Sequence, residues 1–333
     1  MVVTPQTSPP LAQVRELPAG DKVTGFYLLT KIETKPKRSG EPYLELRLQD
    51  ASGHLEAKMW EGFEEIVKTG QAGDVVKVEG ITDSYRDLPQ LILSRIRLAT
   101  EEEAADRRQF LPHSPVSATE AEKQLRELIH SVQNLRLREL LEAVFEGEFL
   151  RGFLDAPGGK MWHHATLGGL AEHTLSLAKL ANLVGGHYPN LDRDLLVTGA
   201  LLHDVGKVVE LTSDVGFDYT TEGRLVGHIV LGTMLIEKKI AELPDFPEET
   251  RRQVLHLILS HQGDGSMGSP VKPMTLEALV LHYLDELDSK CDAFERVRSE
   301  TPEGQDLSKW VNLMDRFFYF KPIEGHTDEG GEK

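Results

Sequence analysis

The residues best equipped for chemistry lie in the second half of the chain. The stretch 199–207 reads G-A-L-L-H-D-V-G-K: an apolar helix runs into the adjacent pair His203 and Asp204, turns at Gly206 and presents Lys207. A desolvated carboxylate is costly without a compensating charge. A divalent cation is the simplest such partner, and imidazole with carboxylate is an ordinary ligand set for one. The same pair could instead close a helix C-terminus before a terminating glycine. Other residues bear on that choice. His173 lies one turn into the preceding helical pattern, His228 and His261 belong to the next two, and Asp285 is midway along the last long one. A bundle can project such side chains into one pocket, which is how helical bundles build dinuclear sites. Asp285, Asp288 and Asp292 share a helix face by their i, i+3, i+7 spacing. That spacing suits one ligand, a support behind it at Asp288 and a solvent-near group at Asp292. His256 sits on a different face from His261, and both it and His282 read as hydrogen-bonded core histidines.

These groups need helices to hold them. Apolar periodicity predicts helices over 167–184, 193–209, 222–243, 247–261 and 275–300, so residues 151–322 form an all-α domain large enough to bury its own core. Residues 101–150 form a linker and a connecting helix. The linker begins with Glu101, Glu102 and Glu103 and passes Pro112 and Pro115. The helix spans 119–149, with Thr119 and Glu122 spaced as a capping box.

Residues 21–100 read as a small β domain. Leu44, Leu46 and Leu48 alternate with Tyr43, Glu45 and Arg47, and Leu55, Ala57 and Met59 alternate with His54, Glu56, Lys58 and Trp60. Three further strand candidates cover 22–34, 74–81 and 91–98, with a short helix at 61–69 between the third and fourth strands. Five strands with a helix at that point suggest an OB-type barrel, a fold whose second and third strands often bind oligonucleotides. The outward face of those strands shows Tyr43, Arg47, Lys58 and Trp60, which combines stacking for bases with charge for phosphates. The same residues would equally suit an ordinary solvent face or a packing surface. The whole chain is thus multidomain α and β, with a flexible arm at 1–20 and a disordered tail at 323–333.

Composition narrows the classes. The net charge of −17 opposes passive binding of nucleic acid, but it is unevenly spread. Residues 21–100 carry 12 Lys and Arg against 13 Asp and Glu, and residues 101–333 hold −16 of the total. The near-neutral β domain is therefore the better place for a polyanion to touch. The single cysteine, Cys291, permits no intrachain disulfide and no cysteine-built metal cluster. With no apolar run near the ~20 residues of a membrane span and no signal pattern at the N-terminus, a cytoplasmic protein is expected.

The ordered set His173, His203, Asp204 and Asp285 resembles the four motif positions of the HD superfamily of metal-dependent phosphohydrolases. Residues 20–322 resemble the YhaM-type 3′–5′ exoribonucleases, in which an OB-like domain precedes the HD domain. The specific stretches are H-H-A-T-L-G-G-L-A-E-H-T (163–174), G-A-L-L-H-D-V-G-K (199–207), Y-T-T-E-G-R-L-V-G-H-I-V (219–230), H-L-I-L-S-H-Q-G (256–263) and L-H-Y-L-D-E-L-D-S-K (281–290). One position departs: Gln262 stands where a second histidine is expected.

The resemblance implies that His173, His203, Asp204 and Asp285 hold one metal and that His228 and His261 hold a second, with Asp204 bridging. It implies Mn²⁺, with Fe, Co, Ni or Zn as alternatives. Two ions about 3.5–4 Å apart would serve in-line hydrolysis of a phosphodiester. Lys207 would neutralise a phosphate oxygen, unless it is simply a cation at a helix terminus. His164 and Lys160 would contact phosphate or leaving group. The function so implied is a hydrolase: a 3′–5′ exonuclease acting on single-stranded RNA, and on single-stranded DNA as an alternative, as a homo-oligomer. Two other readings stay open, an HD phosphohydrolase of small or cyclic nucleotides, and a nucleic-acid-binding protein with a non-catalytic metal module.

Overall fold

The structure, a computed structural model, describes residues 20–85, 88–104, 107–160, 164–213, 217–302 and 304–322. The arm up to residue 19, His163 and the tail from residue 323 lie outside the described residues.

Alternation along the N-terminal segment builds a closed barrel. Its strands are β1 (Lys22–Pro36), β2 (Pro42–Asp50), β3 (Gly53–Met59), β4 (Val75–Tyr85) and β5 (Leu88–Leu98), in the order β1-β2-β3-β5-β4. All neighbours are antiparallel except β3 and β5. β1 is long enough to pair with β4 through its first half and with β2 through its second, and its register shifts between Leu29 and Lys31. Leu44, Leu46, Leu48, Leu55, Ala57 and Met59 all point inward, as their period of two requires. The short helix α1 (Glu64–Thr69) plugs the barrel with Ile66, and Phe63 joins it just ahead of the helix. Each such fully buried aliphatic side chain contributes roughly 1.5–3 kcal/mol relative to exposure.

The rest is helical: α2 (Ala118–Ser131), α3 (Leu135–Val144), α4 (Gly147–Asp155), α5 (Gly169–Gly185), α6 (Arg193–Leu202), α7 (Lys207–Glu210), α8 (Thr221–Val226), α9 (His228–Ala241), α10 (Glu248–Ser260) and α11 (Leu276–Glu300). Three predicted helices are broken. The 119–149 segment divides into α2, α3 and α4, because Asn134 caps a new helix through its side chain and Gly147 adopts a positive φ. The cap of α2 is Ser117, which accepts from the Glu120 backbone N–H, two residues before the expected Thr119. The 193–209 segment breaks at the His203–Gly206 turn, and the 222–243 segment breaks at Gly227, whose φ of 80° ends α8.

Barrel and helices share an apolar cluster. Leu28 and Val75 from the barrel, Phe110 and Leu111 from the connector and Leu167 from the loop before α5 are buried together. Leu167 also donates to the Pro112 carbonyl and accepts from Ser114. Beyond α11, residues 306–320 fold as an irregular hairpin through bridges Leu307–Tyr319 and Val311–Arg316. It packs on α11 through Phe318 and Phe320, whose rings meet Phe294 edge-on at 5.0 and 5.2 Å.

Candidate metal centre

Four elements end or begin at one point. His173 rises from the first turns of α5, His203 closes α6, His228 opens α9, His261 closes α10, and Asp285 reaches in from α11. Asp204 follows His203 on the turn before α7. His173 Nε2 and His203 Nε2 face each other at 3.2 Å, and Asp285 Oδ1 lies 3.2 Å from the first and 3.9 Å from the second. Asp204 Oδ2 is 3.2 Å from His203 Nε2, whereas Asp204 Oδ1 is 3.4 Å from His228 Nε2 and 3.6 Å from His261 Nε2. One carboxylate therefore presents a different oxygen to each of two donor groups. Both groups, His173 with His203 and Asp204, and Asp204 with His228 and His261, are compact enough to hold a metal ion.

The backbone decides which ring nitrogen is available. The last carbonyls of a helix lack intrahelical partners. His203 Nδ1 binds the Ala200 carbonyl at 2.9 Å and His261 Nδ1 binds the Ile258 carbonyl at 2.8 Å, three residues back in each case. Each ring thus closes its own helix end and has its Nδ1 proton fixed. His173 Nδ1 donates to Asp288 Oδ2 at 2.8 Å, and His228 Nδ1 to Glu210 Oε1 at 3.0 Å. With all four Nδ1 atoms committed to oxygen acceptors, the four Nε2 atoms are aimed inward. Metal-bound histidines are oriented in this way by their outer hydrogen bonds.

The donor set fits a divalent cation, and Asp204 supplies the test. The residue is 3% exposed, and its Oδ1 accepts no hydrogen bond. A buried carboxylate oxygen without a donor, facing imidazole lone pairs, is expensive unless a cation lies between them. Burial alone would raise the Asp204 carboxyl; the Lys207 ammonium and the His203 ring override it and hold the group well below the carboxylate range. Burial likewise opposes charge on His173, yet the hydrogen bonds its ring donates to Asp285 and Asp288 raise it to about 10. At His261 burial wins, reinforced by the neighbouring His203, and the ring falls to about 4.

Several supporting residues escape the motif pattern. Glu210 is 7% exposed and receives both the His228 backbone N–H at 2.9 Å and its ring, so one carboxylate caps α9 and sets the tautomer. Asp288 receives His173, His164 Nε2 at 3.2 Å and the Ser176 hydroxyl at 2.5 Å. It thus stands behind the site as its helix position suggests. Burial pushes the Asp288 carboxyl up, but the two histidines outweigh it and leave the group well below its ordinary value. His164 takes a φ of 47°, and its backbone N–H donates to Asp292. Gln262 Nε2 donates to His228 Nε2 at 3.1 Å, so it stands beside the second donor group and competes for the same lone pair. His256 is turned away and accepts from the Met274 backbone, while His282 Nδ1 donates to the His261 carbonyl. Glu210 carries no sequence signal of its own, because its partner is eighteen residues away across α8.

The cations singled out in the sequence are less free than their spacing suggests. Lys207 is buried, with Nζ 2.7 Å from Asp204 Oδ2 and 2.8 Å from the Gly158 carbonyl. Lys160 pairs with Asp218 at 2.7 Å and lies over the Tyr219 ring. On the barrel, Tyr43 and Trp60 are brought together with ring centroids 5.0 Å apart, and Lys37 sits over Trp60. Lys58 lies opposite Glu45 in the β2–β3 register, and Arg47 pairs with Glu56 at 2.6 Å. Among the described residues no helix is long and apolar enough to cross a membrane.

Comparison with known proteins assigns the two halves. Residues 28–99 match the family model described as "OB-fold nucleic acid binding domain", and residues 170–290 match the HD domain model. Several solved structures resemble parts of the chain. The second OB-fold domain of replication protein A from Methanococcus maripaludis is 15% identical, with 26% of this chain and 91% of that chain covered at a TM-score of 0.22. A replication protein A heterotrimer bound to single-stranded DNA is 15% identical, with 27% and 68% covered at a TM-score of 0.21. Likenesses of that size carry no argument about activity. The matched HD domain spans His173, His203, Asp204, His228, His261 and Asp285, and it implies divalent-metal binding. The chain is therefore a closed five-stranded OB-fold barrel followed by a helical region that contains an HD domain, and the HD domain indicates a metal-dependent phosphohydrolase.

Proposed function

We propose that the protein is a metal-dependent 3′–5′ exonuclease that hydrolyses single-stranded RNA to nucleoside 5′-monophosphates. The observation that carries this reading is the convergence of four imidazole Nε2 atoms on Asp204 and Asp285, with one Asp204 oxygen turned to each donor group. His173, His203, Asp204 and Asp285 would hold one ion, and Asp204, His228 and His261 a second, with Mn²⁺ the favoured metal. Such a pair supplies Lewis-acid polarisation of a phosphodiester and a water of lowered pKa.

The remaining roles belong to the chain. Lys207 holds Asp204 ionised and places positive charge beside the phosphate. His164, tied to Asp288, and Lys160, tied to Asp218, are the proposed contacts to phosphate and leaving group. Asp288 and Glu210 fix the rings of His173 and His228. Tyr43, Arg47, Lys58 and Trp60 on β2, β3 and the residue after β3 grip the strand by stacking and charge. Water adds to phosphorus, the bond to the 3′ oxygen breaks, and the shortened strand keeps a free 3′ hydroxyl. The direction and the preference for RNA rest on the resemblance of the five motif stretches to YhaM-type enzymes. Single-stranded DNA offers the same phosphates and π-faces and is the second substrate to test.

The test is a sequencing gel. Metal-stripped protein is incubated with 5′-labelled single-stranded RNA, with and without Mn²⁺. A Mn²⁺-dependent ladder shortening from the 3′ end is expected. An unchanged band beside hydrolysis of a cyclic or mononucleotide substrate would overturn the proposal in favour of a small-nucleotide enzyme. Binding without any hydrolysis would leave a nucleic-acid-binding module.

Metal uptake should also release protons. With His173 raised to about 10, the ring carries both protons at neutral pH until a cation takes Nε2, whereas His261, lowered to about 4, has none to lose. The sign follows: between about pH 7 and pH 10 affinity rises with pH, by up to tenfold per unit for one proton. Calorimetric Mn²⁺ titrations at neutral pH, in two buffers of different ionisation enthalpy, should show proton release. Identical heats in both buffers would contradict it.

A further inference from the structure

The hairpin beyond α11 is unlike the acidic half of the chain that carries it. Residues 101–333 hold −16 of the net charge, yet residues 306–321 carry three cations, Lys309, Arg316 and Lys321, exposed and without an ion pair among the described residues, against two carboxylates, Asp306 and Asp315. Interleaved with these cations are exposed aromatic rings. Trp310, Phe317 and Tyr319 are 47%, 57% and 60% exposed, and Leu307 and Leu313 lie open beside them. Trp310 and Phe317 stand edge-to-face at 5.0 Å. Strand alternation explains the display: Phe318 and Phe320 turn inward onto Phe294, so Phe317 and Tyr319 turn out. An arrangement held on one side by a packed aromatic core and open on the other is a built platform rather than a frayed end.

Phe294 lies nine residues past Asp285 on α11, about 14 Å along the helix axis. Nine residues are about two and a half helical turns, so the hairpin packs on the face of α11 opposite to the one that presents Asp285. On the barrel face itself Arg47 is neutralised by Glu56, whereas the hairpin's three cations are unpaired among the described residues.

We propose that the hairpin formed by residues 306–321 is a second single-stranded nucleic-acid-binding surface, on which Trp310, Phe317 and Tyr319 stack bases while Lys309, Arg316 and Lys321 hold the phosphates of a bound strand. The inference rests on the reading of the protein as a nuclease of single strands. Bases supply flat π-faces, and phosphates supply the negative charge that matches three cations without an ion pair among the described residues. An apolar protein partner would need no cations here.

Fluorescence anisotropy of labelled oligoadenylate of about 20 nucleotides, with metal-stripped protein so that nothing is cleaved, tests the proposal. Two variants are compared with the wild type: Trp310→Ala with Phe317→Ala, and Lys309→Glu with Arg316→Glu and Lys321→Glu. Affinity is expected to fall about tenfold or more in each, the size of the loss when a stacking ring is removed. The charge variant should also show a flatter dependence on salt, with a slope reduced by up to ~2–3 for three phosphate contacts. Hydrolysis of a dinucleotide, too short to reach the hairpin, should be unchanged. Wild-type affinity and salt slope in both variants would overturn the proposal while leaving the nuclease reading intact. So would light scattering that shows the aromatic variant losing self-association with strand affinity unchanged. Failure of the wild-type protein to bind the strand at all would overturn both.

Discussion

Replacing Asp204 by asparagine should abolish hydrolysis and leave strand binding in place. The substitution keeps the shape and removes the charge from the one carboxylate that faces both donor groups, with Oδ2 toward His203 and Oδ1 toward His228 and His261. Loss of a hydrogen-bonding support behind a metal ligand costs about 10–100-fold in affinity or activity, so loss of a ligand shared by two groups should exceed ~100-fold. A second consequence separates this role from a structural one. Lys207 is buried against Asp204 and the Gly158 carbonyl, and its ammonium is held above its ordinary value by Asp204 against the opposing effect of burial. Removing its counter-charge strands a buried cation, which costs about 3–5 kcal/mol. Thermal stability of Asp204→Asn should therefore drop, and a second change, Lys207→Met, should recover much of it without restoring hydrolysis. Full-rate cleavage by Asp204→Asn would remove Asp204 from the centre. Recovery of cleavage in the double variant would show that its contribution is to folding alone.

The next largest effect is expected from a single methyl group at Gly206. That residue has ordinary helical dihedrals, so the constraint is space and not conformation. A Cβ there would lie 2.0 Å from the His228 carbonyl oxygen and 2.6 Å from the Gly232 backbone nitrogen. Both are backbone atoms of α9, and neither can swing aside. Gly206→Ala should push α9 away from the turn that carries Asp204, taking His228 with it, at a cost of about 1–3 kcal/mol from overpacking. The first donor group contains no atom from α9 and should survive. Metal analysis by mass spectrometry should accordingly show the ion count falling by one per chain, alongside a lower melting temperature. An unchanged ion count and melting temperature would mean that the close approach does not position His228.

The barrel was the most legible part of the chain, because alternation reports directly which side chains face inward. Leu44, Leu46, Leu48, Leu55, Ala57 and Met59 are buried as their period demands. The helical half was legible in content but not in its breaks. Gly227 interrupts an apolar pattern that continues on both sides of it, and only its positive φ shows that His228 starts a new helix. That break matters, since it places the His228 backbone N–H where Glu210 can cap it. The ligand-type residues could be named from local pattern because His203 and His261 each follow an apolar helix whose end they close. Their supports could not: Glu210, Ser176 and the Gly206 contact depend on partners brought close only by tertiary packing. The cations show the opposite limit. Carboxylates claim the charge of all three cations: Glu56 across the strand pair takes Arg47, Asp218 far along the chain takes Lys160, and Asp204, three residues back, takes Lys207.

The apolar cluster of Leu28, Val75, Phe110, Leu111 and Leu167 has a further consequence. Because strand, connector and the loop before α5 bury one another there, barrel and helical bundle cannot swing apart without exposing that cluster, and the distance between them is fixed. On the proposed reading, a strand long enough to cover that distance is held at both ends while its terminus is trimmed. Once trimming leaves it shorter, the barrel lets go, and the length of the final fragment records a distance built into the fold.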